Sequence, residues 1–285
     1  MAHTAPGHRI AVVAGGGMLP LLVTAALVRR GYSPVVFAIE GEADAKLCGL
    51  APAHVIRWGE IGRFFRLARE ASCREALFIG TISRRPNFNA IRPDLGGLKF
   101  IPRILQLMRG GDDSLLVGVA GLLQEQGMLV VGPLDVAPEL RLPMGCLIGS
   151  GVSDAMEDIH KAARAARRIG RLDVGQAAVA VGGEVVAVED ASGTDALLAR
   201  VAAMRLEGLI SAAGGVLVKC MKPQQDPRLD VPTIGPVTAQ HARRAGLYGV
   251  AGEAGRTLLA GRDETVEAFR RAGLFLFGLT PLEPR

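Results

Sequence analysis

From Arg9 to Val131 the sequence alternates short apolar runs with longer stretches of helical period, and this alternation leaves few folds open. Arg9–Ala14, Pro34–Ile39, His54–Trp58, Ala76–Gly80 and Met128–Val131 read as strands. Met18–Arg30, Ile61–Ala71, Leu95–Arg109 and Asp113–Gln126 read as helices, and Gly31 stops the first of them. Strands separated by helices are joined by right-handed crossovers, which gives a parallel, doubly wound sheet. The expected fold class is therefore α/β, with a Rossmann-like first domain over residues 1–132. The two prolines of GPLDVAPEL break the rhythm, so residues 133–140 are expected to be a linker and 141–285 a second, mixed α/β domain.

The second half has a different rhythm. Ser153–Ile169 reads as a basic amphipathic helix capped by Ser153 or Asp154. A solvated helix resting on a core is favoured there over a membrane-binding one. AAVAVGGEVVAVE, Ala177–Glu189, has two alternating runs around Gly182-Gly183 and predicts a β-hairpin. A helix over Gly193–Arg205, a strand over Gly214–Val218 and a helix over Val237–Gly246 come next. Tyr248–Gly278 reads as strand, helix (Asp263–Ala272) and strand.

Hydrophobic residues make up 49% of the 285 residues and charged residues 21%, as in a globular protein. Aromatics are only 4%, which argues against nucleic-acid binding by base stacking. The net charge of +5 favours anionic partners, but the basic residues are spread along the chain and single out no nucleic acid. Cys48, Cys73, Cys146 and Cys220 have no zinc-ligand spacing and read as four reduced thiols of a cytosolic protein. No signal peptide and no membrane span are expected. The five histidines form no HxH or HExxH pattern.

Four stretches could carry chemistry. In AVVAGGGMLP a strand runs through Gly15, Gly16 and Gly17 into a helix, a turn that can approach an anion closely. Glu40 stands where a dinucleotide fingerprint has its ribose-binding acid, but Pro20 takes the position of the third glycine. A nucleotide or phosphate-bearing ligand is favoured over NAD and over a purely structural turn. The stretch FIGTISRRPNFN offers Thr81, Ser83 and Arg84 at the end of a strand, and a polar loop is the competing reading. VEDASGTDAL brings Glu189, Asp190 and Asp195 close together, either as complements to a helix dipole or as metal ligands. In KCMKPQQDPRLDVPTIG, an apolar run empties into a loop that holds Lys222, Asp226, Arg228 and Asp230 and is stiffened by Pro223, Pro227 and Pro232. Lysine and arginine there suit phosphate oxygens, and aspartate suits a hard cation or a water. A solvated surface loop is the plain alternative.

AGGGMLP, GTISRRP, LDVGQAAVAVGGEVVAVEDASGTDALL and GGVLVKCMKPQQDPRLDVPTIGPVT, taken in order, resemble the LpxI family of UDP-2,3-diacylglucosamine pyrophosphatases of lipid A biosynthesis. The likeness runs from about Ile10 to Leu276. Gln224 stands where the family's KPGQD pattern has glycine, and Ser192 where its EGTD pattern has an acid. The resemblance implies hydrolysis of UDP-2,3-diacylglucosamine to UMP and 2,3-diacylglucosamine 1-phosphate. It also implies magnesium as cofactor and a homodimer with substrate held between two domains. On this reading Asp226 is the essential acid and Lys222 holds the pyrophosphate. Glu189, Asp190 and Asp230 join Asp226 as candidate metal ligands. Gly15, Gly16, Gly17, Thr81, Gln176, Thr194, Arg228 and Thr233 are the expected substrate contacts. The acyl chains are expected in an apolar cleft of the second domain, and the basic chain to sit in the cytoplasm with peripheral, salt-sensitive contact to the inner membrane. An NAD-dependent oxidoreductase using Glu40, or a non-catalytic nucleotide- or lipid-binding module, are the alternatives.

Overall fold

The computed structural model describes residues 7–82, 94–100 and 112–281. The chain divides into two units, Met1–Pro138 with Asp226–Asp230, and Glu139–Gln225 with Val231–Arg285. The charged loop, which the sequence reading kept within one domain, is thus shared between them.

In the first unit five parallel strands lie in the order β3-β2-β1-β4-β5. They are β1 (Arg9–Ala14), β2 (Ser33–Ile39), β3 (Ala53–Ile56), β4 (Glu75–Ile79) and β5 (Leu129–Val130). The connecting helices include α1 (Leu19–Arg29), α2 (Ile61–Glu70) and α3 (Asp112–Glu125). A core of Ala11, Val35, Phe37, Phe64, Phe65, Ala76, Leu123 and Val130 joins the sheet to its helices. The expected helix over Leu95–Arg109 meets the described residues only at 95–100, which hold a turn and a single 3-10 turn, Leu98–Phe100; the rest lies outside them. β1 and β4 lie side by side at the centre, so the chain leaves the sheet in opposite directions there. Ligands of open α/β sheets bind at such a point. After β5, Gly132 leads into α4 (Pro133–Val136), and Pro138–Leu140 make a 3-10 turn.

The second unit holds a six-stranded mixed sheet, in the order β6-β13-β11-β9-β7-β8. These strands are β6 (Gly145–Ile148), β7 (Ala177–Val181), β8 (Glu184–Val188), β9 (Val216–Lys219), β11 (Gly249–Glu253) and β13 (Phe275–Leu279). β10 (Thr233–Ile234) pairs separately with β12 (Leu258–Leu259). β9, β11 and β13 run parallel, whereas β6 and β7 are antiparallel to their neighbours.

Successive side chains of a strand point to opposite faces, and the central strands of this sheet are buried on both. Ala177, Val179, Val181, Leu217, Val250 and Leu276 pack towards α6 (Gly193–Leu206), α7 (Pro236–Arg244) and α8 (Arg262–Ala272). Ala178, Ala180, Val216, Val218, Ala251 and Phe275 pack towards α5 (Met156–Arg171).

The expected hairpin is β7–β8, with Gly182 and Gly183 both at positive φ, +61° and +80°. Two expectations shift. The basic helix begins at Met156, not Ser153, and its N-cap Ala155 gives no side-chain cap. Gly214 and Gly215 take φ of +110° and +86° and precede β9 rather than join it.

Candidate active site

At the carboxyl edge of the first sheet, Gly15–Gly17 follow β1 and Gly80-Thr81 follow β4. The two turns clasp each other: Gly16 N–H donates to Thr81 O (2.7 Å) and Thr81 N–H to Gly16 O (2.9 Å). A Cβ on Gly15 would lie 2.5 Å from Thr81 O, and one on Gly80 2.8 Å from Gly16 O. Backbone contact therefore requires these glycines whether or not a ligand binds. The amide of Gly15 donates to Ile79 O (2.9 Å), so the N–H groups of Gly15 and Gly16, which the sequence reading offered to an anion, are already used. Gly15 and Gly16 are buried, and Gly17, Met18 and Thr81 form the exposed part of the turn. Glu40 is exposed and paired with Arg57 (3.2 Å). Ser83 and Arg84 lie outside the described residues.

Asp226–Asp230 completes this unit. Leu229 packs on its core, and Gly132 admits the segment, since a Cβ there would lie 3.1 Å from Pro227 O and 3.2 Å from Arg228 Cα. Arg228 grips Asp226 through Nε (3.0 Å to Oδ1) and Nη2 (2.6 Å to Oδ2), and its own N–H donates to Oδ1 (2.9 Å). The Arg228 side chain, then its N–H, hold the Asp226 carboxyl below the usual carboxylate range against the opposing effect of burial. A carboxylate so stabilised is a weak base. It is better suited to attract a cation or orient a water dipole than to take a proton. Asp230 N–H donates to Asp226 O (3.0 Å), closing the turn.

In the second unit the carboxyl ends of β9 and β11 meet the start of β7. Glu253, only 3% exposed, receives Arg167 Nε (3.0 Å) and Nη2 (2.8 Å) on Oε1 and Met221 N–H (3.1 Å) on Oε2. Cys220 N–H donates to Gln176 O (2.8 Å), and Lys219 Nζ to Thr233 O (3.0 Å). Lys222 is then bracketed: its N–H donates to Gln225 Oε1 (3.2 Å) and its ammonium lies 2.7 Å from Asp173. Gln224 donates to Gly170 O (2.8 Å) and ties the loop to the end of α5.

Glu189 is buried and both its oxygens are occupied, by Gln176 N–H (2.7 Å) and the Thr194 hydroxyl (2.6 Å). Asp190 is paired with Arg200 (2.9 Å) and Ser192, and Asp195 with His241 (2.8 Å). Gln176 and Thr194, expected as substrate contacts, and Glu189, expected as a metal ligand, are thus neighbours joined by hydrogen bonds. Gln176 Oε1 is buried and receives no hydrogen bond among the described residues.

The magnesium expectation finds no ready-made set. Among the described residues no group of three or more His, Cys, Asp or Glu side chains could hold a metal. Glu189, Asp190 and Asp226 are each engaged by protein donors.

The sequence reading missed Arg167, Asp173 and Glu253. Glu253 ends the run GVAGE as a lone acid, which was the only signal available for it. A cavity of about 430 Å³ opens where β9 begins, with Asp154, Asp158, Gly182, Gly214 and Tyr248 on its walls.

Family models described as the LpxI N-terminal domain and the LpxI C-terminal domain match residues 9–140 and 143–277. A protein of Caulobacter vibrioides (strain ATCC 19089 / CIP 103742 / CB 15), named UDP-2,3-diacylglucosamine pyrophosphatase LpxI, is 40% identical over 279 residues, 97% of this chain and 99% of the relative.

Proposed function

Because this chain belongs to the LpxI family, we propose that it hydrolyses the pyrophosphate of UDP-2,3-diacylglucosamine, releasing UMP and 2,3-diacylglucosamine 1-phosphate for lipid A biosynthesis. The observation that carries the reading is the 40% identity to a named pyrophosphatase across 97% of the chain.

In such a reaction water forms a bond to one phosphorus and the bridging P–O bond breaks. Charge grows on the phosphate oxygens, and the protein acts by placing cations and a water around them. Lys222 supplies a point charge from a braced loop. Asp226, ionised by its contact with Arg228, orients the water or a cation. Arg228 becomes available to phosphate oxygens when Asp226 turns to another partner. Gln176 Oε1 would supply an acceptor for a hydroxyl or amide of the sugar, and Thr81 and Gly17 of the first unit are the contacts proposed for the nucleotide.

Asp226 would take up magnesium in exchange for Arg228, and the bound cation would offset charge on the phosphate oxygens. A homodimer and a cytoplasmic, peripherally membrane-bound enzyme belong to the same proposal. Among the described residues no helix is long and apolar enough to cross a membrane.

The test is to give the purified protein UDP-2,3-diacylglucosamine and UDP-N-acetylglucosamine, with magnesium and with a chelator, and to follow UMP. The proposal expects UMP release from the diacyl substrate far above that from the acyl-poor one. Equal kcat/KM for the two would remove the lipid from the reading, and no release from either would end it.

A further inference from the structure

Helix α5 has one face in the core and another that is unusually basic. Ile159, Ala162, Ala163, Ala166 and Gly170 are buried. Arg164, Arg168 and Arg171 are exposed, and spacings of four and three residues align them in one stripe along the helix. None of the three has an ion-pair or hydrogen-bond partner among the described residues. Arg168 and Arg171 lie in the last turn, where a cation complements the helix dipole. Dipole complementarity accounts neither for Arg164, which lies further up the helix, nor for the segment just past the helix end.

That segment turns sharply, with Asp173 at φ +57° between two exposed aliphatic residues. Leu172 is 70% exposed and Val174 46%. The Asp173 carboxylate, between them, lies 2.7 Å from the Lys222 ammonium. An aliphatic tip, a stripe of guanidinium groups and a lysine of the candidate site therefore share one end of the second unit.

We propose that this end, through Arg164, Arg168, Arg171, Leu172 and Val174, docks the protein onto an anionic lipid bilayer. The inference rests on the lipid-substrate reading above and names the surface through which such a substrate is reached. The mixture of groups selects the partner. A nucleic-acid backbone would neutralise the arginines and leave Leu172 and Val174 in water. An anionic bilayer takes guanidinium groups at headgroup level and aliphatic side chains just beneath them. With the Leu172–Val174 turn at the interface, Lys222 is held by Asp173 beside the phase from which a diacyl lipid arrives.

Near an anionic surface each guanidinium contributes about fivefold to the partition coefficient, and three contribute about a hundredfold. The full-length protein is mixed with sedimenting vesicles of phosphatidylcholine, with and without phosphatidylglycerol, over a range of salt concentrations. Wild type is expected to bind the anionic vesicles and to be released by salt. The variant Arg164→Gln/Arg168→Gln/Arg171→Gln should bind about a hundredfold more weakly and lose most of the salt dependence. Leu172→Ser/Val174→Ser should bind about tenfold more weakly with its salt dependence intact. Both should hydrolyse a detergent-dispersed substrate at the wild-type rate, which shows that they are folded.

Failure of wild type to bind anionic vesicles would overturn the proposal. So would unchanged binding by the arginine variant, or arginine-dependent binding of duplex DNA or an acidic protein in place of vesicles. Vesicle binding that requires these residues, in a protein that releases no UMP, would uphold the docking surface and refute the pyrophosphatase reading alone.

Discussion

Removing Glu253 should loosen the start of the charged loop and slow the reaction it serves. The carboxylate is 3% exposed, faces Arg167 at 2.8 and 3.0 Å and accepts Met221 N–H at 3.1 Å. Alanine at this position strips both partners at once. Breaking a buried ion pair from one side costs about 3–5 kcal/mol, and a buried N–H without an acceptor about 1–3 kcal/mol. The two losses overlap, and Arg167 retains 18% exposure and a hydrogen bond to Thr280 O, so part of its charge is solvated again. About 4 kcal/mol is the expected total, a large share of an ordinary domain's stability. Urea denaturation followed by circular dichroism would read this as an early transition of the second unit.

Glu253→Gln is the gentler change: its single amide oxygen can still accept from Met221 N–H, but the charge facing Arg167 is lost and the amide NH2 turns a donor toward the guanidinium. It should cost about 2 kcal/mol, stay folded, and lower kcat about tenfold with KM within about threefold, because Lys222 follows Met221 directly and acts on charge formed in the transition state. A double variant, Glu253→Gln/Arg167→Gln, should recover part of both losses, since it removes the unmatched cation. Unfolding of Glu253→Ala at the wild-type urea concentration, or full kcat in Glu253→Gln, would rule out this role for Glu253.

Gly15→Ala should destabilise the first unit by about 3 kcal/mol, since its Cβ would meet Thr81 O at 2.5 Å; a thermal scan that matches wild type would show that the two turns can part freely. Arg228 depresses the pKa of Asp226, so their contact stabilises the fold above the unfolded carboxyl pKa and is lost as pH falls through the lower, folded value. The stability gap between wild type and Arg228→Ala should therefore be full at neutral pH and shrink below about pH 4; a gap that widens in acid would contradict the assignment. Burial pushes the Cys220 thiol up to about 12 and the Cys73 thiol to about 11, whereas Cys48 and Cys146 are exposed. A thiol reagent should accordingly titrate two cysteines in the native protein and four after unfolding, and fast reaction of all four in the native state would refute this burial pattern.

Much of the architecture was legible because its signals are local. β1, α1 and β2 follow from two apolar runs flanking a helical period, and β7–β8 from alternation around Gly182-Gly183. β6, a four-residue strand whose residues are half-buried or exposed, and the two-residue pair β10–β12 have too little periodicity to be seen. Ser153 has the chemistry of a cap, but the helix starts three residues later. Within its first turn Asp158 instead receives the Gly182 and Gly183 N–H groups of the hairpin turn, at 3.2 and 2.6 Å.

The candidate site was legible as a set of residue types, and less so as a set of contacts. Lys222 and Asp226 stood out because prolines bracket their charges. The role of Glu253 depends on β9 pairing with β11, a register that no local pattern encodes. Glu189 had the composition of a metal ligand, but Thr194, five residues on, and the Gln176 amide take up both its oxygens.

In the proposed reaction Asp226 is the essential acid for cleaving the pyrophosphate of a UDP-linked diacyl sugar. The most direct measurement is UMP release from UDP-2,3-diacylglucosamine by wild type and by Asp226→Ala, with substrate affinity measured for both. Wild type should release UMP readily and the variant at least about a hundredfold less, with affinity largely retained. Turnover by Asp226→Ala within a few-fold of wild type would contradict this role for Asp226.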